Sequence, residues 1–409
     1  MEPAPSTATA AGRTLGRDAR LLLAAFAAIG APIGLLSVAM PVYIQRLGLG
    51  PVLAGTVFTT IGLAAVALVI PFGILADRYG RRRLFVVGAF LLIASMAAIA
   101  FAETPAVLLA AAALLGVSEA LGFSTFNALL AEASDAPRRT TVFGLSFFFN
   151  GLAFAAGSLL AIVPDLTLAG GSSDVPGAYR PVFLIAAAVS ALGAVAALLV
   201  RVGGPRPREG KSLLPRRSAK ILGKFFASNF IIGLGAGLII PLFSLWFFLK
   251  FGLAESTTGP LLAIASVMVA VAYLAAPILS RRFGMVRSIV VLQSCATLVL
   301  FFIPIVTNIY LVGVLFVVRN LLMNMSWPVA SSFLMTVVDE SERASASAVT
   351  GAAFRLPFAV STTIGGFLLT VQLDLPFFVT TGLYALGTAT FFAFFRNVKG
   401  SHEPAGRSL

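Results

Sequence analysis

The sequence predicts an all-α membrane protein in which twelve transmembrane helices form two pseudo-symmetric six-helix bundles. Two observations lead to this fold class. Hydrophobic residues make up 59% of the 409 residues and charged residues only 11%, whereas soluble domains carry about 25% charged residues. Similar segments also recur at a constant offset of about half the chain length. So few charges cannot cover a water-facing surface, and lipid is therefore expected to surround most of the protein.

Twelve apolar segments are long enough to cross a bilayer, since a spanning helix needs roughly 20 mostly apolar residues. Helices are expected because hydrocarbon forces each backbone polar group to find a partner within its own segment. Residues 1–19 precede the first segment and are predicted to be a cytoplasmic tail. Nine segments contain no charge: 21–45, 47–76, 84–102, 140–164, 181–200, 225–249, 256–280, 288–306 and 375–395. The other three contain one charge each: Glu119 in 105–131, Arg319 in 308–336 and Arg355 in 344–371.

Lysine and arginine are distributed unequally between the two sets of loops. If the N-terminus is cytoplasmic, 24 of the 29 Lys and Arg residues lie in cytoplasmic segments, three lie in outer loops, and two lie within spans. Positive residues concentrate on the cytoplasmic side of membrane proteins. We therefore predict a multi-pass protein of the cell membrane with both termini in the cytoplasm. The same asymmetry accounts for the net charge of +13 without a nucleic-acid partner.

The two halves of the chain align at an offset of 204 residues. The segment GILADRYGRRR at 73–83 aligns with PILSRRFGMVR at 277–287, and Gly48-Leu49 aligns with Gly252-Leu253. Internal repeats of this kind are typical of secondary transporters, which bind their substrate between the repeats. We predict an N-terminal bundle at 20–201, a cytoplasmic linker rich in Gly, Pro and Arg at 202–219, a C-terminal bundle at 220–396, and a cytoplasmic tail at 397–409.

The loop between spans 2 and 3 resembles the signature loop of the major facilitator superfamily. Its pattern, G-x-x-x-D-R-x-G-R-R, is formed by Gly73, Asp77, Arg78, Gly80, Arg81 and Arg82. The resemblance implies transport by alternating access between two six-helix bundles. It also implies a central cavity lined by spans 1, 4, 7 and 10 together with spans 2, 5, 8 and 11.

The same resemblance implies that the signature loop is a gate. Asp77 would cap the N-terminus of span 11 in the other half, because a helix N-terminus favours negative charge, and Arg81 would pair with Glu132 or Asp135. The alternative is that these arginines only fix the topology. The second copy of the loop departs from the pattern, since Arg281 stands where the first copy has Asp77. Span 4 also lacks the family's arginine and span 5 lacks the proline typical of antiporters, which weakens an assignment to drug:proton antiporters.

Three ionisable residues within spans are the main candidates for coupling protons or binding substrate. Such groups cost roughly 2.5–3.5 kcal/mol to insert and are usually functional. Glu119 lies near the middle of span 4, where hydrocarbon disfavours the charged carboxylate and makes the residue a candidate proton carrier; the alternative is a structural pair with an arginine. Arg319 could bind an anion or pair with Glu119, and Arg355 lies near the middle of span 11.

Polar residues on other helices are candidates for the cavity wall. Asn320, Asn324 and Trp327 are spaced i, i+4 and i+7 in span 10 and therefore share one helix face; the alternative for them is hydrogen bonding between helices. Asn150 in span 5 and Asn229 in span 7 are further cavity candidates that could equally serve packing. Two pairs of small residues, Gly30 with Gly34 and Gly233 with Gly237, predict close helix contacts.

Three functional hypotheses follow. The first is secondary transport of small organic molecules, with efflux by proton antiport through Glu119. The second is uptake of an organic anion by a symporter or uniporter that uses Arg319 and Arg355. The third, a membrane-embedded enzyme or sensor, lacks a visible catalytic cluster. The single Cys295 and single His402 exclude Cys/His metal sites, and no Walker loop is present. We expect a monomer in the bilayer that needs neither a cofactor nor a metal.

Overall fold

A computed structural model describes residues 15–135, 139–203, 217–339 and 342–397. All regular secondary structure in these ranges is helical, and twelve spans are long and apolar enough to cross a membrane. The predicted fold class and number of spans are therefore confirmed. In chain order the spans are Arg17–Arg46, Gly50–Tyr79, Arg81–Ala100, Pro105–Glu132, Arg139–Leu160 with Ile162–Ala169, Val175–Leu199, Ala219–Ile239 with Phe243–Phe251, Glu255–Phe283, Met285–Phe302, Ile309–Val337, Arg343–Val371 and Leu375–Phe395.

Two spans are interrupted where a proline lacks the N–H that the helix needs. Pro164 cannot donate to the carbonyl group of Leu160, and the helix of span 5 stops at Leu160 and resumes at Ile162. In span 7, Pro241 lies in a 3-10 turn, Ile240–Leu242, between the two helical segments. Pro328 and Pro357, in contrast, lie inside continuous helices of spans 10 and 11.

The repeat is visible in the backbone. Gly48 and Gly252 follow spans 1 and 7 with φ angles of 75° and 64°, and Gly80 and Gly284 separate spans 2 and 3 and spans 8 and 9 with φ angles of 101° and 81°. Positive φ is readily adopted only by glycine. The same tight turns therefore occur at equivalent positions of the two halves.

The predicted glycine contacts are confirmed and are also repeated. Spans 1 and 5 pack together, as do spans 7 and 11. A Cβ atom at Gly34 would lie 2.0 Å from the carbonyl oxygen of Phe154, and one at Gly237 would lie 2.0 Å from that of Phe358. Phe154 and Phe358 are 204 residues apart, so each bundle uses the same close backbone crossing.

Apolar side chains cover the outside of the bundles as well as the core. Leu166, Leu192 and Val371 are each more than 60% exposed and belong to a large set of exposed apolar side chains. Extensive exposed apolar surface is typical of contact with lipid or protein. The inner surfaces are also apolar, so the polar residues between the two halves stand out as candidates for function.

The halves meet through spans 2 and 11, spans 5 and 8, and the ends of spans 1 and 7. Because the number of spans is even, the helix ends at Arg17 and Phe395 lie on one side of the molecule, which we call the terminal side; the other is the opposite side. The contacts between halves cluster toward the opposite side. There, a Cβ atom at Gly55 would lie 2.3 Å from the carbonyl oxygen of Thr362, and one at Gly366 would lie 2.3 Å from that of Pro51.

The predicted tails and linker lie largely outside the described residues. The linker, 202–219, falls mostly on 204–216, and the tails, 1–19 and 397–409, fall mostly on 1–14 and 398–409. In the described residues, the helix of span 1 begins at Arg17 and the helix of span 7 begins at Ala219.

Candidate functional site

A cavity of about 700 Å³ lies between the two halves near the middle of the spans. Its described lining comes from spans 1, 2, 4, 5, 7, 8, 10 and 11, which are the eight spans that the resemblance of the signature loop implies. Most of the lining is apolar. The ionisable residues in it are Glu119, Arg319 and Arg355, so the three intramembrane charges that were predicted as coupling residues all face one space.

Glu119 and Arg355 come from different halves and interact electrostatically across the cavity. They do not form a salt bridge within 4.0 Å in this conformation. Instead, the guanidinium carbon of Arg355 lies 3.9 Å from the centre of the Phe123 ring, one turn from Glu119 on span 4. A cation–π contact therefore holds the cation against span 4 of the other half. Neither arginine is in ion-pair contact with Glu119, and Arg355 is the one that acts on it electrostatically.

Arg319 is buried in the C-terminal bundle, with only 2% of its surface exposed. Its Nη2 atom donates a hydrogen bond to the hydroxyl group of Tyr384 at 2.8 Å. No carboxylate among the described residues lies within 4.0 Å of it, and its Nε atom has no hydrogen-bond partner. Arg319 therefore reaches the cavity wall as a cation without a countercharge in the described part of the protein.

The polar face of span 10 contributes two of its three predicted residues to the cavity. Asn320 and Trp327 are among the lining residues. The Trp327 ring packs edge-on against Phe354, with ring centres 4.7 Å apart. Asn324 lies outside the lining and donates to the backbone oxygen of Asn320 at 2.8 Å. This face of span 10 therefore lines the cavity only in part, because Asn324 bonds within its own helix.

Asn150 and Asn229 also lie outside the cavity lining. The amide of Asn150 donates to the backbone oxygen of Phe26 at 2.8 Å and joins spans 1 and 5. The amide of Asn229 donates to the backbone oxygen of Phe225, one turn earlier in its own helix, at 2.9 Å. An amide surrounded by apolar side chains bonds the nearest free carbonyl group, so these two residues serve packing in this conformation.

The signature loop forms an ion-pair network on the terminal side. Arg81 pairs with Asp77 at 2.9 Å and with Glu132, at the end of span 4, at 2.7 Å. Of the two acids considered for Arg81, the structure selects Glu132. The contact of Asp77 with span 11 stays a prediction, because residues 340–341 just before that helix lie outside the described ranges.

The remaining residues of the loop have local roles. Arg82 donates to the backbone oxygen of Leu198 at 2.6 Å and ties span 3 to span 6. Arg78 is exposed and lies over the Tyr79 ring. Gly73 has open space where a side chain would be, whereas Gly80 adopts a positive φ angle. Only Gly80 is thus required to be glycine by the local geometry.

A polar cluster on the opposite side was not predicted from the sequence. Arg46, at the end of span 1, pairs with Asp165 of its own half at 3.1 Å and with Glu255 of the other half at 2.8 Å. The hydroxyl group of Tyr179 also donates to Glu255, which is fully buried. Arg46 and Lys250 are 204 residues apart, and this equivalence is the signal that could have drawn attention to the site. Lys250 instead pairs within its own half, with Asp374 at 2.8 Å.

A family model for the Major Facilitator Superfamily matches the chain twice, over residues 21–229 and 225–409. Comparison with curated proteins gives no match. Among solved structures, a bacterial homologue of the human lysosomal transporter Spinster, inward-facing and occupied, has a TM-score of 0.79 and 13% identity; the match covers 96% of this chain and 100% of the other.

Two further structures are similar. The nucleoside transporter NupG has a TM-score of 0.72 and 16% identity, covering 93% of this chain and 99% of the other. A POT family transporter in complex with a thioalcohol-conjugated peptide has a TM-score of 0.72 and 15% identity, covering 94% and 96%. At these identities the similarity shows the fold alone.

Proposed function

Because the chain belongs to the major facilitator superfamily, we propose that it is a secondary transporter that moves a small organic solute by alternating access and uses Glu119 to couple that movement to protons. Membership of the family indicates a transporter and not an enzyme. The observation that carries the coupling is the position of Glu119. It is the one carboxylate among the described cavity residues, and it faces an arginine from the other half.

The pair of Glu119 and Arg355 offers a mechanism for coupling. An ionised Glu119 attracts Arg355 across the cavity, and this attraction favours the approach of the two halves. A proton on Glu119 removes the attraction, leaves Arg355 against Phe123, and lowers the cost of a carboxyl group in a weakly polar site. A ligand shifts a conformational equilibrium only through its different affinity for the two states, and the proton meets that requirement here.

The orientation of the protein follows from the distribution of positive charge. Arginines are concentrated at the terminal side, which we assign to the cytoplasm of a cell membrane. The contacts at Gly55, Gly366 and Arg46 then close the outer side, and the conformation is inward-facing. The similarity to an inward-facing transporter structure supports this assignment.

Two directions of transport are compatible with a proton site at Glu119. Efflux by antiport requires the proton and the solute to compete, so that each leaves when the other binds. Uptake by symport requires them to bind together. The cavity lining contains two arginines and one carboxylate, and this excess of positive charge favours symport of an anion as the second candidate. Efflux instead suits a lipophilic solute that binds the apolar wall.

The test uses purified protein in liposomes with an imposed pH gradient and a panel of small organic solutes. A pH-sensitive dye inside the liposomes reports proton movement when a solute is added. We expect solute-dependent proton flux for the wild type and none for Glu119→Gln, which still exchanges solute across the membrane. The matched control is Glu103→Gln, an acid in an exposed pair on the opposite side. Unchanged proton flux in Glu119→Gln would refute the coupling role.

A further inference from the structure

The cavity contains one more cation than its carboxylate can balance. Glu119, Arg319 and Arg355 are the ionisable residues of its described lining. Neither arginine has a carboxylate within 4.0 Å in the described part of the chain, but the charge of Glu119 acts on Arg355 across the cavity. When all three residues are ionised, the described lining therefore has a net charge of one positive unit.

The guanidinium group of Arg319 is held in place by a hydrogen bond, but not all of its N–H donors have an acceptor. The hydroxyl group of Tyr384 accepts one hydrogen bond from Nη2, and the Tyr384 ring centre lies 5.6 Å from the guanidinium carbon. The Nε atom is buried without an acceptor. A buried donor without an acceptor lowers the stability of the protein, and so does an unpaired charge within a membrane. An anion that enters the cavity would supply the missing countercharge.

We propose that the transported solute is an organic monoanion, with a carboxylate or similar group that binds Arg319 and an apolar body that lies on the cavity wall. The planar guanidinium fork matches a carboxylate in a way that an ammonium group does not. The aromatic rings of Trp327, Phe354 and Phe358 line the same cavity and suit an aromatic or aliphatic body. This inference rests on the proposed function, since it assigns a substrate class to that cavity.

The assignment separates the two arginines. Arg355 belongs with Glu119, in the pair that responds to protons, and Arg319 binds the solute. A proton on Glu119 leaves a second positive charge in the cavity and strengthens the binding of an anion. Proton and anion then bind together and move in the same direction, which is symport, and a cycle with one of each moves no net charge.

The test measures equilibrium binding to the full-length protein in lipid nanodiscs. The probes are pairs of phenyl- and naphthyl-substituted alkanoic acids and their carboxamides, which have similar shapes and differ in charge. Binding is followed by thermal stabilisation at fixed pH. For the wild type we expect at least one carboxylate to bind about tenfold or more tightly than its amide. We expect Arg319→Gln to lose this preference, and Arg180→Gln, on the opposite side, to retain it.

A second variant distinguishes a loss of anion binding from a failure of the protein to fold. Arg319→Lys keeps the charge and removes the fork, and we expect it to fold and to show a preference at least threefold weaker than that of the wild type. The proposal is overturned if no pair shows a carboxylate preference in the wild type, including the case in which no probe binds. It is also overturned if folded Arg319→Gln or Arg319→Lys keeps the full preference.

The outcomes for substrate class and for proton coupling are distinguishable. A carboxylate preference that depends on Arg319, without solute-driven proton flux, would refute coupling through Glu119 and leave the anion site intact. Proton flux that depends on Glu119, with equal binding of acids and amides, would refute the anion site and leave the coupling intact. The Glu119→Gln variant should keep the carboxylate preference, because its binding no longer depends on the proton.

Discussion

Replacing Gly55 with alanine should shift the protein toward the conformation that is open on the opposite side. A Cβ atom at this position would lie 2.3 Å from the carbonyl oxygen of Thr362 and 3.0 Å from the Cα atom of Thr363. Because both are backbone atoms of span 11, the helices must separate by about 1 Å to restore ordinary contact. Over-packing of this kind costs about 1–3 kcal/mol.

That cost falls on the conformation in which spans 2 and 11 touch at Gly55, and it is relieved when the halves separate there. A free-energy change of about 1–3 kcal/mol corresponds to a shift of about 5- to 150-fold in the ratio of the two states. A state that is rare in the wild type would then become a measurable fraction of the molecules.

The assay is a distance measurement between spin labels on the opposite side. Ser173 and Thr307 are exposed loop residues of different halves, and both can be replaced by cysteine in a Cys295→Ser background. We expect Gly55→Ala to gain a population with a longer distance. Gly382→Ala, at a position with no atom near the added Cβ, is the control and should match the wild type. A folded Gly55→Ala protein with the wild-type distance distribution would refute the reasoning.

Three other predictions concern contacts of different kinds. Glu255→Gln should lose its ionic hydrogen bond to Arg46, weaken closure of the opposite side by about 1.5–3 kcal/mol, and lengthen the same label distance. Gly34→Ala should lower the thermal unfolding temperature, since its Cβ atom would lie 2.0 Å from the carbonyl oxygen of Phe154 inside one bundle and over-packing costs about 1–3 kcal/mol. Arg81→Gln should slow transport in liposomes while changing stability by less than about 1 kcal/mol, because its ion pairs are partly exposed.

Each of these predictions has a matched control. Lys250→Gln removes an ion pair within one half, so it should lower stability and leave the label distance unchanged. Gly144→Ala adds a Cβ atom in open space and should not lower the unfolding temperature. Arg81→Lys keeps the positive charge and should transport faster than Arg81→Gln. Equal behaviour of a variant and its control would contradict the corresponding prediction.

The sequence was sufficient for the features that depend on local composition or on the repeat. Span lengths follow from hydropathy, and the close crossing at Gly34 follows from the spacing of small residues. The three charges of the cavity could also be identified, because an ionisable residue within an apolar segment is conspicuous. Each of these features can be recognised from the residues of a single segment or from the comparison of two similar segments.

Pairing between segments could not be read from the sequence in the same way. Glu119 had two possible arginine partners, and only the three-dimensional arrangement of spans 4 and 11 selects Arg355. The cluster at Arg46 combines the ends of four spans, none of which has an unusual sequence by itself. Asn150 was a plausible cavity residue, but the carbonyl group it bonds became its neighbour only through the packing of spans 1 and 5.

The equivalence of Arg46 and Lys250 has a consequence for how this protein can change. The two positions are equivalent in the repeat but have different partners: Arg46 pairs across the boundary between the halves as well as within its own half, and Lys250 pairs inside its own half. We expect mutation at Lys250 to change the stability of one bundle, and mutation at Arg46 to change how long the opposite side stays closed. Selection can therefore adjust the rate of the transport cycle at one position while the integrity of each bundle is maintained at the other.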